Sequence, residues 1–226
     1  MDKVKKSGYL KLFWIVILEI VLYLVLDVIA QVLPPHYSPI SQAESDLAVS
    51  KFGFIMTINF LNRGILSLLF IFAFLQTLDA NKIARLPFRI GAYLLGVWAV
   101  GALLLAIFPT DVPATHVSWH GAIHLVVAII AFIGGAFGTL AISLKMGQNR
   151  MFEGLKRIAL PLSIIVIIFW AIEFGVPFVF PHINAHIGGV TERLFLGAVL
   201  LWIGIVSAYI ATHMHPTEAL TDRTKA

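Results

Sequence analysis

Six apolar blocks, each long enough to cross a lipid bilayer as a helix, constrain this chain more than any other feature of its sequence. About 20 residues of helix span the roughly 30 Å of bilayer hydrocarbon, and an isolated strand cannot satisfy its backbone hydrogen bonds there. The composition agrees, because 59% of the 226 residues are hydrophobic and only 12% are charged. We therefore predict an all-α integral membrane bundle, a single six-span transmembrane domain over residues 1–226. The spans are expected at about residues 10–32, 52–78, 90–108, 119–144, 158–180 and 190–212.

The basic residues are distributed unevenly among the segments that flank these blocks. Thirteen of the 16 Lys and Arg residues lie in the N-terminal tail, the second and fourth connections, or the C-terminal tail. The positive-inside rule keeps such segments in the cytoplasm, so we predict that both termini are cytoplasmic. The first block follows a Lys-rich start but lacks a small-residue cleavage site, which favours a retained helix over a signal peptide.

The chain contains no cysteine. Disulfides, thiolate metal ligands, iron–sulfur clusters and covalently attached haem are therefore excluded, and any bound metal must have nitrogen or oxygen ligands. The net charge of +4 comes from short segments that flank apolar blocks rather than from one basic patch, so we predict no nucleic-acid partner. We expect the chain to lie in the lipid bilayer of a prokaryotic cytoplasmic membrane, where it could also contact another membrane protein.

The stretch from Phe108 to His124 holds three histidines at four-residue spacing behind an aspartate and two prolines. A helix of 3.6 residues per turn would bring His116, His120 and His124 near one stripe. His120 and His124 match the i, i+4 spacing of paired zinc ligands, so we predict them as candidate metal ligands. The alternative is an interfacial pair that only forms hydrogen bonds with the connections.

Ionisable residues inside the blocks are concentrated toward the predicted outer side. At about 1.5 Å per residue, Asp27, His124 and Glu173 lie at similar depth, and Arg63 lies a few ångströms deeper. A charge at the bilayer centre costs about 2.5–3.5 kcal/mol, so we expect Arg63 to pair with Asp27 or Glu19. We predict a ligand pocket in the outer half, walled by the first, second, fourth and fifth helices. Its candidate residues are Asp27, Asn59, Arg63, Asp111, His116, His120, His124, Glu173, Glu192 and Arg193.

Four groups of short motifs follow one another along nearly the whole chain. They are Tyr37–Gln42 with Asp46, Asn59–Phe60 with Gly64, Phe108–Asp111 with His120–His124, and Glu192–Leu194 before Trp202. In these motifs the chain resembles the polytopic membrane proteins of the domain of unknown function (DUF) 998 family. The resemblance implies a six-helix membrane bundle and no established activity. A looser architectural similarity connects the chain to intramembrane zinc hydrolases such as alkaline ceramidases and adiponectin-receptor-like proteins, although those families normally have seven spans.

We predict that the outer pocket binds a small or lipid-derived ligand, with a divalent metal such as zinc at His120 and His124 as an additional option. Three alternatives stay open: a metal-dependent intramembrane lipid hydrolase, an accessory or assembly subunit of a membrane complex, and a proton-coupled transporter. Bis-histidine haem is disfavoured, because His124 could pair only with histidines of the connections. The sequence assigns no catalytic residue and does not decide whether the protein is an enzyme.

Overall fold

A computed structural model describes residues 3–112 and 118–213, with side chains described from Gly8 onward. Six long helices account for most of these residues, and no strand occurs in the described part of the chain. The helices are α1 (Lys3–Val32), α2 (Gly53–Ala80), α3 (Arg89–Leu105), α4 (Trp119–Met146), α5 (Glu153–Val179) and α6 (Pro181–His213). Short 3-10 helices lie in the connections, at Glu44–Val49, Leu86–Phe88 and Arg150–Phe152.

All six α-helices are long and apolar enough to cross a membrane. The predicted all-α fold with six spanning helices is therefore confirmed, and the chain is an integral membrane protein. The placement of both termini in the cytoplasm stays a prediction, because it follows from the distribution of charge along the sequence.

The six helices form a closed ring, since each packs against the next along the chain and α1 also packs against α6. The helices α2 and α6 are the most buried, whereas most of α1 and α5 faces outward. Aromatic side chains fill the space between them. Phe70, Phe74, Trp98, Phe195 and Trp202 are each at most 1% exposed.

The helices α3 and α4 come closest where glycines replace larger side chains. A Cβ added to Gly134 would lie 2.5 Å from the carbonyl oxygen of Leu94, and one added to Gly138 would lie 2.9 Å from the amide nitrogen of Leu95. Small residues allow this backbone approach, as in other membrane helix pairs. The contact fixes α4 against α3, and with it the position of His124 nearer the start of α4.

The last helix begins earlier than predicted. It starts at Pro181 rather than near residue 190, which reduces the α5–α6 connection to Phe180. Proline fits the first turn of a helix, because the N–H that it lacks would have no intrahelical partner there. The polar segment 181–189 therefore forms the first turns of α6 instead of a connection, and His182 and His186 are exposed on its surface.

Candidate functional site

A cavity of about 360 Å³ lies at one end of the bundle, among residues of α2 to α6 and of the α1–α2 and α3–α4 connections. We call this the carboxylate end, after Asp27, Glu44, Asp46, Glu173 and Glu192. The sequence predicted walls from the first, second, fourth and fifth helices. In the structure α1 contributes no residue to the cavity wall, whereas α3 and α6 do, so the prediction is wrong for these three helices. The ionisable or amide-bearing residues in the wall are Asp46, Arg63, His124, Glu173, Asn184 and Glu192.

Arg63 is the most deeply buried charged residue in the cavity wall, at 2% exposure. Its Nη1 lies 3.8 Å from Oε2 of Glu44, which is itself 1% exposed. The predicted partners of Arg63, Asp27 or Glu19, are therefore wrong. The guanidinium carbon also lies 5.1 Å and 5.0 Å from the ring centroids of Phe60 and Trp98, within cation–π range.

Glu44 reaches Arg63 because the α1–α2 connection folds inward. Its short helix, Glu44–Val49, buries Glu44 and Leu47 on one side. The hydroxyl of Tyr23, on α1, donates a hydrogen bond to the Glu44 carboxylate. The carboxylate thus has a charged partner and a neutral donor, which a buried charge requires.

Arg193 clamps the α1–α2 connection onto α6. Its Nη1 donates to the carbonyl oxygens of Pro39 and Gln42 at 3.0 Å and 3.1 Å, and its Nη2 donates to the Tyr37 hydroxyl. Burial raises the pKa of Tyr37 above its usual range, so the phenol keeps its proton and donates it to a backbone carbonyl. The family-like motifs around Tyr37 and Arg193 therefore meet in space, although they lie far apart in the chain.

Asp27 is the acidic partner of this clamp. Its Oδ2 lies 4.0 Å from Nε of Arg193 and accepts a 2.5 Å hydrogen bond from the Gln31 side chain. Asp27 is thus engaged beside the cavity rather than in its wall. Asn59 is fully buried one helical turn before Arg63, and its amide has no hydrogen-bond partner among the described residues.

Glu173 and Glu192 line the cavity from α5 and α6. Oε2 of Glu173 accepts a 2.5 Å hydrogen bond from the hydroxyl of Thr191, and Oε2 of Glu192 accepts one of 2.6 Å from the backbone N–H of Glu44. Neither carboxylate belongs to an ion pair within the described ranges, and neither does Asp46. Burial raises the pKa of Asp46, which lies in the α1–α2 connection. The cavity wall therefore holds more acidic groups than the described basic groups pair with.

Asp111 holds the beginning of α4 in place. Its carboxylate accepts hydrogen bonds from the backbone N–H of Ser118 at 2.7 Å and from the Ser118 hydroxyl at 2.8 Å. The Ser118 side chain in turn accepts from the N–H of Gly121, as an N-cap residue does. A Cβ at Gly121 would overlap the Asp111 carboxylate, which explains the glycine. Asp111 thus has a structural role outside the cavity wall.

His124 is 5% exposed and lines the cavity, and its Nδ1 lies 2.7 Å from the carbonyl oxygen of Phe108. A carbonyl can only accept, so Nδ1 carries the proton and Nε2 of the neutral ring is the acceptor. His120 instead packs on the ring of Trp119 outside the cavity wall, with a centroid separation of 3.4 Å. Only one of the two predicted metal ligands therefore lines the cavity.

No group of three or more His, Asp or Glu side chains is arranged for a metal ion within residues 3–112 and 118–213. His116 lies outside the described residues. The metal role of His120 and His124 therefore stays a prediction, as do the ligand-binding roles of the other candidate residues.

The sequence analysis missed Glu44, the partner of Arg63. This glutamate is absent from the candidate residues predicted from the sequence, yet Glu44 precedes the buried Leu47 by one short helical turn. That spacing was the available signal, because two residues three apart lie on the same side of a 3-10 helix.

Six apolar helices in a closed ring, with a cavity among buried charges at one end, define a polytopic membrane protein of the all-α class. The chain belongs to the family described as "Protein of unknown function (DUF998)", which matches residues 17–209. This confirms the family resemblance seen in the motifs. Neither a curated protein nor a solved structure matches the chain.

Proposed function

We propose that the carboxylate-end cavity binds a small or lipid-derived ligand, in the cytoplasmic membrane of a prokaryote. The proposal rests on the environment of Arg63. This residue lines the cavity, and its Nε and Nη1 have no hydrogen-bond partner in the described part of the chain. A buried donor without a partner costs about 1–3 kcal/mol. Both nitrogens are closed to a water-sized molecule, so a ligand oxygen would accept from them, and offset this cost, only once the side chain turns toward the cavity.

The size and wall chemistry of the cavity support the proposal. Ligand pockets usually measure roughly 300–1,000 Å³ and combine apolar walls with a few convergent polar groups. Here the cavity measures about 360 Å³, and Phe60, Phe132 and Phe174 stand among its charged residues. A role in packing alone would account for the Arg63–Glu44 pair, but not for the open space beside it.

A cavity-filling variant tests the proposal. Ala128 lines the cavity from α4, whereas Val126 on the same helix is 55% exposed and does not line it. We expect Ala128→Phe to abolish the retention of a stoichiometric lipid or small molecule, and we expect the matched control Val126→Phe to retain it. Native mass spectrometry of the purified protein measures both, with thermal unfolding as a check on folding.

Two results would count against ligand binding at this cavity. One is wild-type protein that carries no ligand and gains no thermal stability from an extract of total membrane lipids. The other is a ligand that Ala128→Phe retains as well as Val126→Phe does.

A further inference from the structure

The cavity is open at the side that faces lipid. Leu125 and Ile129 of α4 line it and are also 61% and 36% exposed, so the wall that they form continues into the outer surface of the bundle. Phe174 and Pro177 of α5 stand in the wall beside them. The gap between α4 and α5 therefore joins the cavity to the apolar surface that the bilayer covers.

The part of α5 beside this gap is loosely packed. All buried residues of α5 lie at or before Val166, far from its end at Val179. Pro177 has no N–H to donate to the carbonyl of Glu173, so one helical hydrogen bond is missing at the cavity. A Cβ added to Gly175 would meet no atom within 4 Å. Only the turn of α5 that follows the contact between Phe174 and Phe132 can thus move outward with little loss of packing.

The charged residues of the cavity wall indicate which charged groups a ligand headgroup should carry. Asp46, Glu173 and Glu192 line the cavity without an ion pair among the described residues, so a cation there would gain electrostatic energy. A primary ammonium has three donors and could serve several carboxylate oxygens at once. Arg63 also lines the cavity, and its guanidinium forms no hydrogen bond among the described residues, so an anionic oxygen on the same ligand would gain a charge-assisted hydrogen bond there.

We infer that the cavity holds the headgroup of a zwitterionic amphiphile, one that carries both a primary ammonium and an anionic oxygen, and that reaches the cavity from the bilayer between α4 and α5. The inference rests on the proposed function and names its ligand class. The ammonium lies among the carboxylates, the anionic oxygen faces Arg63, and the chains leave along Leu125 and Ile129.

Binding of four compounds to the purified protein tests the inference. They are phosphatidylethanolamine, which has both groups, phosphatidylcholine, which has no N–H donor, phosphatidylglycerol, which has no ammonium, and the soluble glycerophosphoethanolamine, which has no chains. Thermal unfolding in detergent is followed against the concentration of each compound. We expect phosphatidylethanolamine to bind at least roughly tenfold more tightly than the other three, because each lacks either a charge-assisted hydrogen bond or the apolar contacts.

Substitutions in the cavity provide the second measurement. We expect Glu173→Gln and Glu192→Gln each to weaken phosphatidylethanolamine binding by roughly 10-fold or more, and to leave phosphatidylglycerol binding unchanged. The matched control is Glu153→Gln, at the opposite end of α5, where the carboxylate is exposed and, among residues 3–112 and 118–213, pairs with Arg157 alone. The control should bind as the wild type does. Size-exclusion chromatography identifies any variant that fails to fold, and the other glutamate variant then decides the outcome.

The possible failures are distinguishable. Equal binding of phosphatidylethanolamine and phosphatidylglycerol, or no effect of either glutamate substitution, would overturn the zwitterionic headgroup and leave a ligand cavity. Binding of glycerophosphoethanolamine as tightly as the lipid would overturn access from the bilayer. If none of the four compounds binds and Ala128→Phe behaves as Val126→Phe does, the proposed function itself fails.

Discussion

Replacing Gly121 with alanine is expected to destabilise the start of α4. The added Cβ would occupy the position of the Asp111 carboxylate, whose oxygens accept from the backbone N–H and the hydroxyl of Ser118. The carboxylate must therefore move away, and the N-cap residue loses the group that orients it. The same displacement loosens the α3–α4 connection that holds the Phe108 carbonyl against His124.

The magnitude follows from these contacts. Loss of an N-cap costs about 0.5–2 kcal/mol, and a hydrogen bond to a charged group contributes about 1.5–3 kcal/mol, with the low end appropriate to this exposed pair. Alanine in a helix offsets roughly 0.5–1 kcal/mol, because it restricts the unfolded chain more than glycine does. The net loss is about 2 kcal/mol. For a chain of this size that corresponds to a fall in Tm of roughly 4–8 °C.

Thermal unfolding in detergent, followed by tryptophan fluorescence, measures this fall. The matched control is Gly96→Ala in α3, where a new Cβ meets no atom within 4 Å and Tm should stay the same or rise slightly. In an Asp111→Ala background, Gly121→Ala should cost nothing further, because the clash is gone. A Gly121→Ala variant as stable as Gly96→Ala would refute the role of Asp111 in orienting the N-cap residue Ser118.

Three more outcomes are expected. Arg193→Lys should release the α1–α2 connection, seen as faster amide exchange around Tyr37, because a lysine cannot reproduce the guanidinium fork; unchanged exchange would contradict the clamp. Burial raises the pKa of Asp46 above 3.8, so the neutral carboxyl stabilises the fold below the pKa of the unfolded chain, and this stabilisation is lost as pH rises through the pKa of the folded state. Asp46→Asn should therefore raise Tm at about pH 7 and not at about pH 3. Equal shifts in Tm at both pH values would disprove this reasoning. If His120 and His124 bind zinc, elemental analysis should find one equivalent in the wild-type protein and none in either His120→Ala or His124→Ala. A wild-type protein without zinc would contradict that prediction.

The fold could be predicted from the sequence because the bilayer requires every span of this kind to be a helix and to be long enough to cross the hydrocarbon. The six blocks became six helices, and the small residues of α4 lie at its closest contact with α3. The start of α6 could not be predicted in this way. Hydropathy marks where a span enters the hydrocarbon. A helix such as Pro181–His213 can begin before that point, because a helix also forms in the polar region outside the hydrocarbon.

The grouping of charges at one end was also predictable, since polar groups in lipid need polar neighbours. Their pairing was not. Depth along a helix placed Asp27 near Arg63, but pairing depends on the facing of each helix and on how a connection folds, and Glu44 reaches Arg63 through such a connection. Asp111 shows the same limit, because its hydrogen bonds to Ser118 depend on the local path of the backbone.

The clamp of Arg193 has a consequence for the order of assembly during synthesis. Arg63 and Glu44 belong to neighbouring segments and can meet as soon as the second helix has left the ribosome. Arg193 and the Pro39 carbonyl are 154 residues apart, so the Pro39–Gln42 part of the first connection stays without its Arg193 anchor until the sixth helix is inserted. We expect nascent chains that stop before α6 to expose this part of the connection to proteases, and full-length chains to protect it.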